Sequence, residues 1–118
     1  MTFHALAVGK PSPEQATQIL HAIRRGGAEP RLVSDEQFVQ ALRDPSTPPP
    51  KCVVVDAQSA RAAHVIAAVR SEAQLFTVPV IALVRSMSEH AYVDAHGEGA
   101  DDVVVATDAA GITRRVVN

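Results

Sequence analysis

Three short runs of uninterrupted apolar residues limit what this chain can fold into: Cys52-Val53-Val54-Val55, Val78-Pro79-Val80-Ile81-Ala82-Leu83-Val84 and Val103-Val104-Val105. A strand with one wet face alternates apolar and polar residues, whereas a short continuous run is a strand covered on both faces. Helices must supply that cover. Between the first two runs, from Ser59 onward, Ala62, Val65, Ile66, Val69 and Ala73 keep a helical period. Strands alternating with such segments form a parallel sheet with helices on both sides.

The remaining segments extend this order. Phe3 to Val8 reads as a first strand that ends at Gly9. Ser12, Pro13 and Gln15 then form a Ser-x-x-Gln helix start, and Ala16, Ile19, Leu20 and Ile23 repeat at helical spacing until Gly26-Gly27, predicting a helix over about 13–25. Pro30 to Val33 is a weaker second strand, followed by a helix start at Ser34 to Gln37 and apolar positions at Phe38, Val39, Ala41 and Leu42. The stretch Asp44-Pro45-Ser46-Thr47-Pro48-Pro49-Pro50 reads as a stiff surface connector. Pro79 belongs near the start of its strand, where a missing donor matters least. A poorer helix runs from Ser88 to His96-Gly97, with Tyr92 and Ala95 expected as its anchors, and Asp108 can cap a last helix through Ala109, Ile112 and Val116.

Length and charge narrow the classes of function. A chain of 118 residues can bury a core without disulfide or metal, so one domain over 1–118 is expected, and the single Cys52 can form neither an internal disulfide nor a Cys-based zinc site. Eleven basic residues against thirteen acidic ones leave no electrostatic footprint for nucleic acid. No apolar stretch approaches the ~18 residues that span a bilayer, and Met1 to His4 does not open a secretory leader; a cytoplasmic location is expected. Neither metal nor cofactor is expected. The five histidines, His4, His21, His64, His90 and His96, place no three ligands on one helical face; His90 and Asp94 share a face that His96 does not. Cys52, at the start of a buried strand, reads as an inert core thiol, and Arg24-Arg25 and Arg114-Arg115 as solvated helix ends.

Over its whole length the sequence resembles the receiver domain of two-component response regulators. The segments that carry the likeness are Val78 to Leu83 followed, after a helix, by Gly99-Ala100-Asp101-Asp102-Val103-Val104-Val105, and Cys52-Val53-Val54-Val55-Asp56. The resemblance implies a flavodoxin-like α/β fold with five parallel strands in the order 2-1-3-4-5 and helices on both faces. It also makes Asp56 the equivalent of the phosphoacceptor aspartate.

Around Asp56 the chain departs from the family. Phosphoryl transfer to a carboxylate brings anions together, so a divalent cation held by neighbouring carboxylates, together with a lysine, must neutralise the developing charge. The family's acidic pair falls on Gly9 and Lys10, its hydroxyl residue on Val84, its lysine on Ala106 and its switch aromatic on Val103. Lys10, with Thr107 or Ser86, could replace a charge or a donor, but not the metal. Asp56 is otherwise expected to cap the following helix or to pair with Lys10, and Asp101 and Asp102 to lie on the side away from the site.

These departures predict a degenerate, or pseudo-, receiver: no catalytic residues, and signalling through contacts with other proteins or with further domains of the same polypeptide. The family's usual contact surface, formed by the fourth helix, fifth strand and fifth helix, would here carry Tyr92, Val93, Ile112, Arg114, Arg115 and Val116, and could support a homodimer. The short last helix suggests a chain cut from a longer protein or completed by a partner. Two other readings stand beside it: a working receiver phosphorylated on Asp56 by a histidine kinase, and a flavodoxin-like domain binding a small anionic ligand at Gly9 to Ser12.

Overall fold

A computed structural model describes residues 3–44, 46, 49–59, 61–72 and 77–117. The chain alternates strand and helix throughout: β1 (Phe3–Val8), α1 (Pro13–Arg25), β2 (Ala28–Val33), α2 (Phe38–Arg43), β3 (Cys52–Asp56), α3 (Ala62–Ser71), β4 (Val80–Val84), α4 (Glu89–Gly97), β5 (Asp102–Val105) and α5 (Ala109–Val117). All strand pairs are parallel, in the order β2-β1-β3-β4-β5. Met1, Pro45, Thr47, Pro48 and Ala73, which entered the sequence reading, lie outside the described residues.

The continuous runs are covered on both sides. Val53 and Val55 of β3, with Val80, Ala82 and Val84 of β4, face a core closed by Phe38 of α2, Ile66 and Val69 of α3 and Ala95 of α4. Val54, Ile81, Leu83 and Val104 face the other way, onto Ile19 and Ile23 of α1 and Ile112 and Val116 of α5. Each valine so buried contributes about 1.5–3 kcal/mol relative to its exposed state, which makes the central strands the source of cohesion.

Several element ends differ from the sequence expectation for local reasons. β2 begins at Ala28 rather than Pro30, because Ala28 and Glu29 already pair with Phe3 and His4. β4 begins at Val80 rather than Val78: Pro79 has no N–H, although its carbonyl accepts from the Val53 N–H at 3.0 Å. At Ser34 to Gln37 the serine hydroxyl accepts from the Gln37 N–H at 3.2 Å, closing a turn just before α2. Ser12 caps α1 as expected, accepting from the Gln15 N–H, and Asp108 does the same for α5 through the Gly111 N–H at 3.0 Å.

Two expectations about packing are corrected. Tyr92 does not anchor α4; it is 50% exposed and lies against His96, with ring centroids 4.4 Å apart, while Ala95 is buried in its place. A helix held by so small a side chain sits close to the sheet, and the bulky ring points to solvent. Ile112 and Val116, expected on a contact surface, are each only 1% exposed. Their helix packs against α1, where a Cβ on Gly26 would come within 2.7 Å of Val116 and the Thr113 hydroxyl donates to the Ala22 carbonyl at 2.9 Å.

At the amino-terminal edge of the sheet, Asp101 accepts from the Val80 N–H at 2.8 Å and from Arg70 at 2.7 Å, and Arg70 also donates to the Val78 and Gly99 carbonyls. Asp102 pairs with Arg115 at 3.1 Å. Both acids therefore tie strand ends to helices, on the side away from Asp56. The packing predicts that Ile112→Ala lowers the unfolding free energy by about 2–5 kcal/mol, whereas Val93→Ala on exposed α4 shifts it by less than about 0.5 kcal/mol; urea titrations of the two variants check both.

Candidate functional site

A parallel sheet delivers the carboxyl ends of all its strands to one edge, where strand order reverses between β1 and β3. Asp56, the last residue of β3, stands at that edge, half-buried. Its Oδ1 accepts from the Gln58 N–H at 2.9 Å, closing a turn before α3. Asp56 does not cap α3, whose N-cap position is Arg61, and it does not pair with Lys10.

Lys10 instead donates to Glu36 Oε1 at 3.0 Å across the surface, both side chains being exposed. The Glu36 carboxylate, by hydrogen bond and by charge, raises the Lys10 pKa. Beside it, Asp35 Oδ2 accepts from the Ser59 hydroxyl at 2.6 Å. That bond holds the Asp35 carboxyl below its ordinary range, against the opposing effect of desolvation. The turns after β1, β2 and β3 are thus tied together by Lys10–Glu36 and Asp35–Ser59.

Gly9 explains why the turn after β1 runs as it does. Its φ is +145° and its N–H donates to the Val33 carbonyl at 3.0 Å. A Cβ at this position would lie 2.8 Å from the Asp56 Cβ, closer than side chains approach, so the position takes a residue without one. The other departures from the receiver pattern also have definite places. Val84 is buried at the end of β4, Ala106 is half-buried and donates its N–H to the Val84 carbonyl at 2.8 Å, and Val103 packs in the core on the α3 side.

Val84 and Ala106 line a cavity of about 260 Å³; Gly9 and Val103 do not. Ile19, Leu20, Leu83 and Val84 give it apolar walls, and Lys10, Ser12, Asp56 and Thr107 line it as well. Ser86 does not line it among the described residues.

No three His, Cys, Asp or Glu side chains among the described residues come together in a group that could hold a metal ion. His90 pairs with Asp94 at 3.2 Å on the surface of α4, as their shared face implies. Burial pushes the Cys52 thiol up to about 11, with Lys51 acting weakly the other way, so this thiol is a core side chain and not a nucleophile. On the expected contact surface, Tyr92, Val93 and Arg114 are exposed and Arg115 is half-buried beside Asp102. Ile112 and Val116 do not belong to that surface.

No protein-family model matches the chain, and no curated protein matches it. Solved structures do. The chemotaxis response regulator CheY4 of Vibrio cholerae superposes with a TM-score of 0.77 at 19% identity, over 98% of this chain and 99% of that one. The fold is that of a response-regulator receiver domain. A response regulator in red light signaling of R. palustris has a TM-score of 0.72 at 19% identity, covering 98% of this chain and 90% of its own. The Mn(2+)-bound form of response regulator Rcp1 has a TM-score of 0.65 at 13% identity, covering 97% and 89%.

Sequence reasoning singled out Asp56, which ends β3 at this edge, but missed the contacts of Asp35, Glu36 and Ser59 beside it. The segment Ser34 to Gln37 carries a helix-start pattern, and that local signal hid the long-range partners of its two acids. Because the Asp35 carboxyl is depressed in the folded state, its contribution to stability is present above its unfolded pKa of about 3.9 and is lost as pH falls through the folded value. Urea midpoints measured from about pH 5 to about pH 2 should therefore show wild type more stable than Ser59→Ala at the upper end, with the gap closing toward the lower.

Proposed function

We propose that this chain is a pseudo-receiver, a signalling domain that acts through protein–protein contact independently of aspartyl phosphate. The observation that carries the reading is the approach of Gly9 to Asp56. In a receiver that accepts phosphate, a carboxylate from the turn after β1 shares a divalent cation with the acceptor; here that position has no room for a side chain, since its Cβ would meet Asp56 at 2.8 Å. The next residue, Lys10, is directed to Glu36. Rcp1, of the same fold, has been crystallised with Mn(2+), whereas the other acids at this edge, Asp35 and Glu36, are engaged by Ser59 and Lys10 and form no metal-holding group with Asp56 among the described residues. Val84 and Ala106 supply neither the hydroxyl nor the ammonium that would steady a phosphoryl group.

The partner surface in this reading is the outer face of α4 with the adjoining end of α5. Tyr92 and Val93 provide exposed apolar area, 50% and 58% accessible, and Arg114 an exposed charge. Aromatic and arginine side chains are the usual energetic anchors of interfaces. Partners are other signalling proteins, further domains of the same polypeptide or a second copy of the chain. With a formal charge of −2, nucleic acid is not among them. A cytoplasmic setting and the lack of catalytic activity belong to the same proposal.

The amide spectrum of the ¹⁵N-labelled domain should stay unchanged at Asp56, Thr107 and α4 when Mg2+ and beryllofluoride are added. Saturable shifts there would establish a working phosphoacceptor and sink the reading. Gly9→Asp provides a second check: the added carboxylate should destabilise the domain, through its positive φ and its clash with Asp56, without conferring Mg2+ binding.

A further inference from the structure

The changes that remove phosphoryl chemistry from this edge also leave a cavity there, and its chemistry is specific. Three of its walls are alanines, Ala7, Ala16 and Ala106, which open about 260 Å³ above the apolar side chains of Ile19, Leu20, Leu83 and Val84. Among the described residues lining it, Asp56 is the sole acid. Asp56 is half-buried, its Oδ1 accepts from Gln58, and no donor among the described residues meets its Oδ2. The two cations of the lining are placed differently. The Lys10 ammonium is compensated by Glu36, which does not line the cavity, and Arg85 is exposed to solvent, where water and salt screen it. The uncompensated charge that borders the apolar interior is therefore negative.

We infer that this cavity is a binding site for a small organic cation, an ammonium group on a compact apolar body, with the ammonium donating to the free oxygen of Asp56. About 260 Å³ takes a body of roughly ten heavy atoms, smaller than a drug-sized ligand. The apolar part lies on Leu20, Leu83 and Val84, and the charge-assisted hydrogen bond to Asp56 selects the sign of the ligand. This site goes beyond the contact surface on α4 and occupies a separate part of the molecule. Beryllofluoride reports on phosphoryl chemistry and an amine on the cavity, so either reading can fail without the other.

The test uses 2-phenylethylammonium and its carboxylate counterpart 3-phenylpropionate, each titrated into the ¹⁵N-labelled full chain without added divalent cation. The amine should give saturable shifts at Ala16, Leu83 and Ala106 with a dissociation constant of about 1 mM or below, as expected for so small a ligand. Asp56→Asn, which keeps the acceptor for the Gln58 N–H, should weaken binding by about tenfold or more while leaving the fold intact. Ala106→Leu should abolish binding by filling the cavity, with the circular dichroism spectrum unchanged. Absence of saturable shifts with the amine, tighter binding of the carboxylate, or undiminished binding of the amine by Asp56→Asn would overturn the inference.

Discussion

The burial of β3 on both faces is the constraint from which the rest of the structure follows. Val53, Val54 and Val55 alternate between two cores that share no side of the sheet, and each core needs its own helices. α2, α3 and α4 close one and α1 and α5 the other, which requires every crossover to return parallel to the strand it left. β3 is paired on both edges, Val54 with Ala7 and with Ile81, so its backbone donors and acceptors are met within the sheet. Once β3 is fixed, Asp56 is fixed too, because it is the next residue and pairs in register with Leu83 of β4.

What surrounds Asp56 is then decided by how closely the turn after β1 passes. A carboxylate there would stand against a second carboxylate, which is tolerable only with a cation between them. In this chain the turn crosses at Gly9, and the charges are moved outward: Lys10 to Glu36, and Asp35 to Ser59. Of these two contacts, the exposed Lys10–Glu36 ion pair contributes little to stability by itself. Their consequence is geometric, because they join three loops that would otherwise be independent. The edge of the sheet is thereby held as one surface with a cavity at its centre, instead of a set of ligands converging on an ion.

The fold was legible in the sequence because its signals are local and mutually consistent. Continuous apolar runs, helical periods and capping residues at Ser12 and Asp108 all point to one arrangement. Boundaries moved where pairing, a proline or a side-chain-closed turn intervened, as at Ala28, Pro79 and Ser34 to Gln37. The site was legible in part: which residue types stand at the strand ends could be read residue by residue, but where Lys10 would turn, and how closely Gly9 would approach Asp56, depend on contacts between segments far apart in the chain. The same limit explains α4 and α5. Spacing alone cannot say whether Ile112 and Val116 face α1 or solvent, nor that Ala95 rather than Tyr92 would set the height of α4 above the sheet.

That last difference separates the two helices in a way that bears on recognition. α5 is locked to α1, with Val116 pressed on Gly26 and Thr113 bonded to the Ala22 carbonyl; moving it would open the core on that side. α4 buries Ala95 alone and keeps its largest side chains outside. Elements with few buried apolar contacts lie at the low end of local stability, so α4 can shift or be captured at smaller cost than any other helix of its length here. A partner engaging Tyr92 and Val93 would therefore act on the helix that buries the fewest side chains among the described residues. The energy for any rearrangement of α4 would then come from the difference in how well the partner binds its two positions.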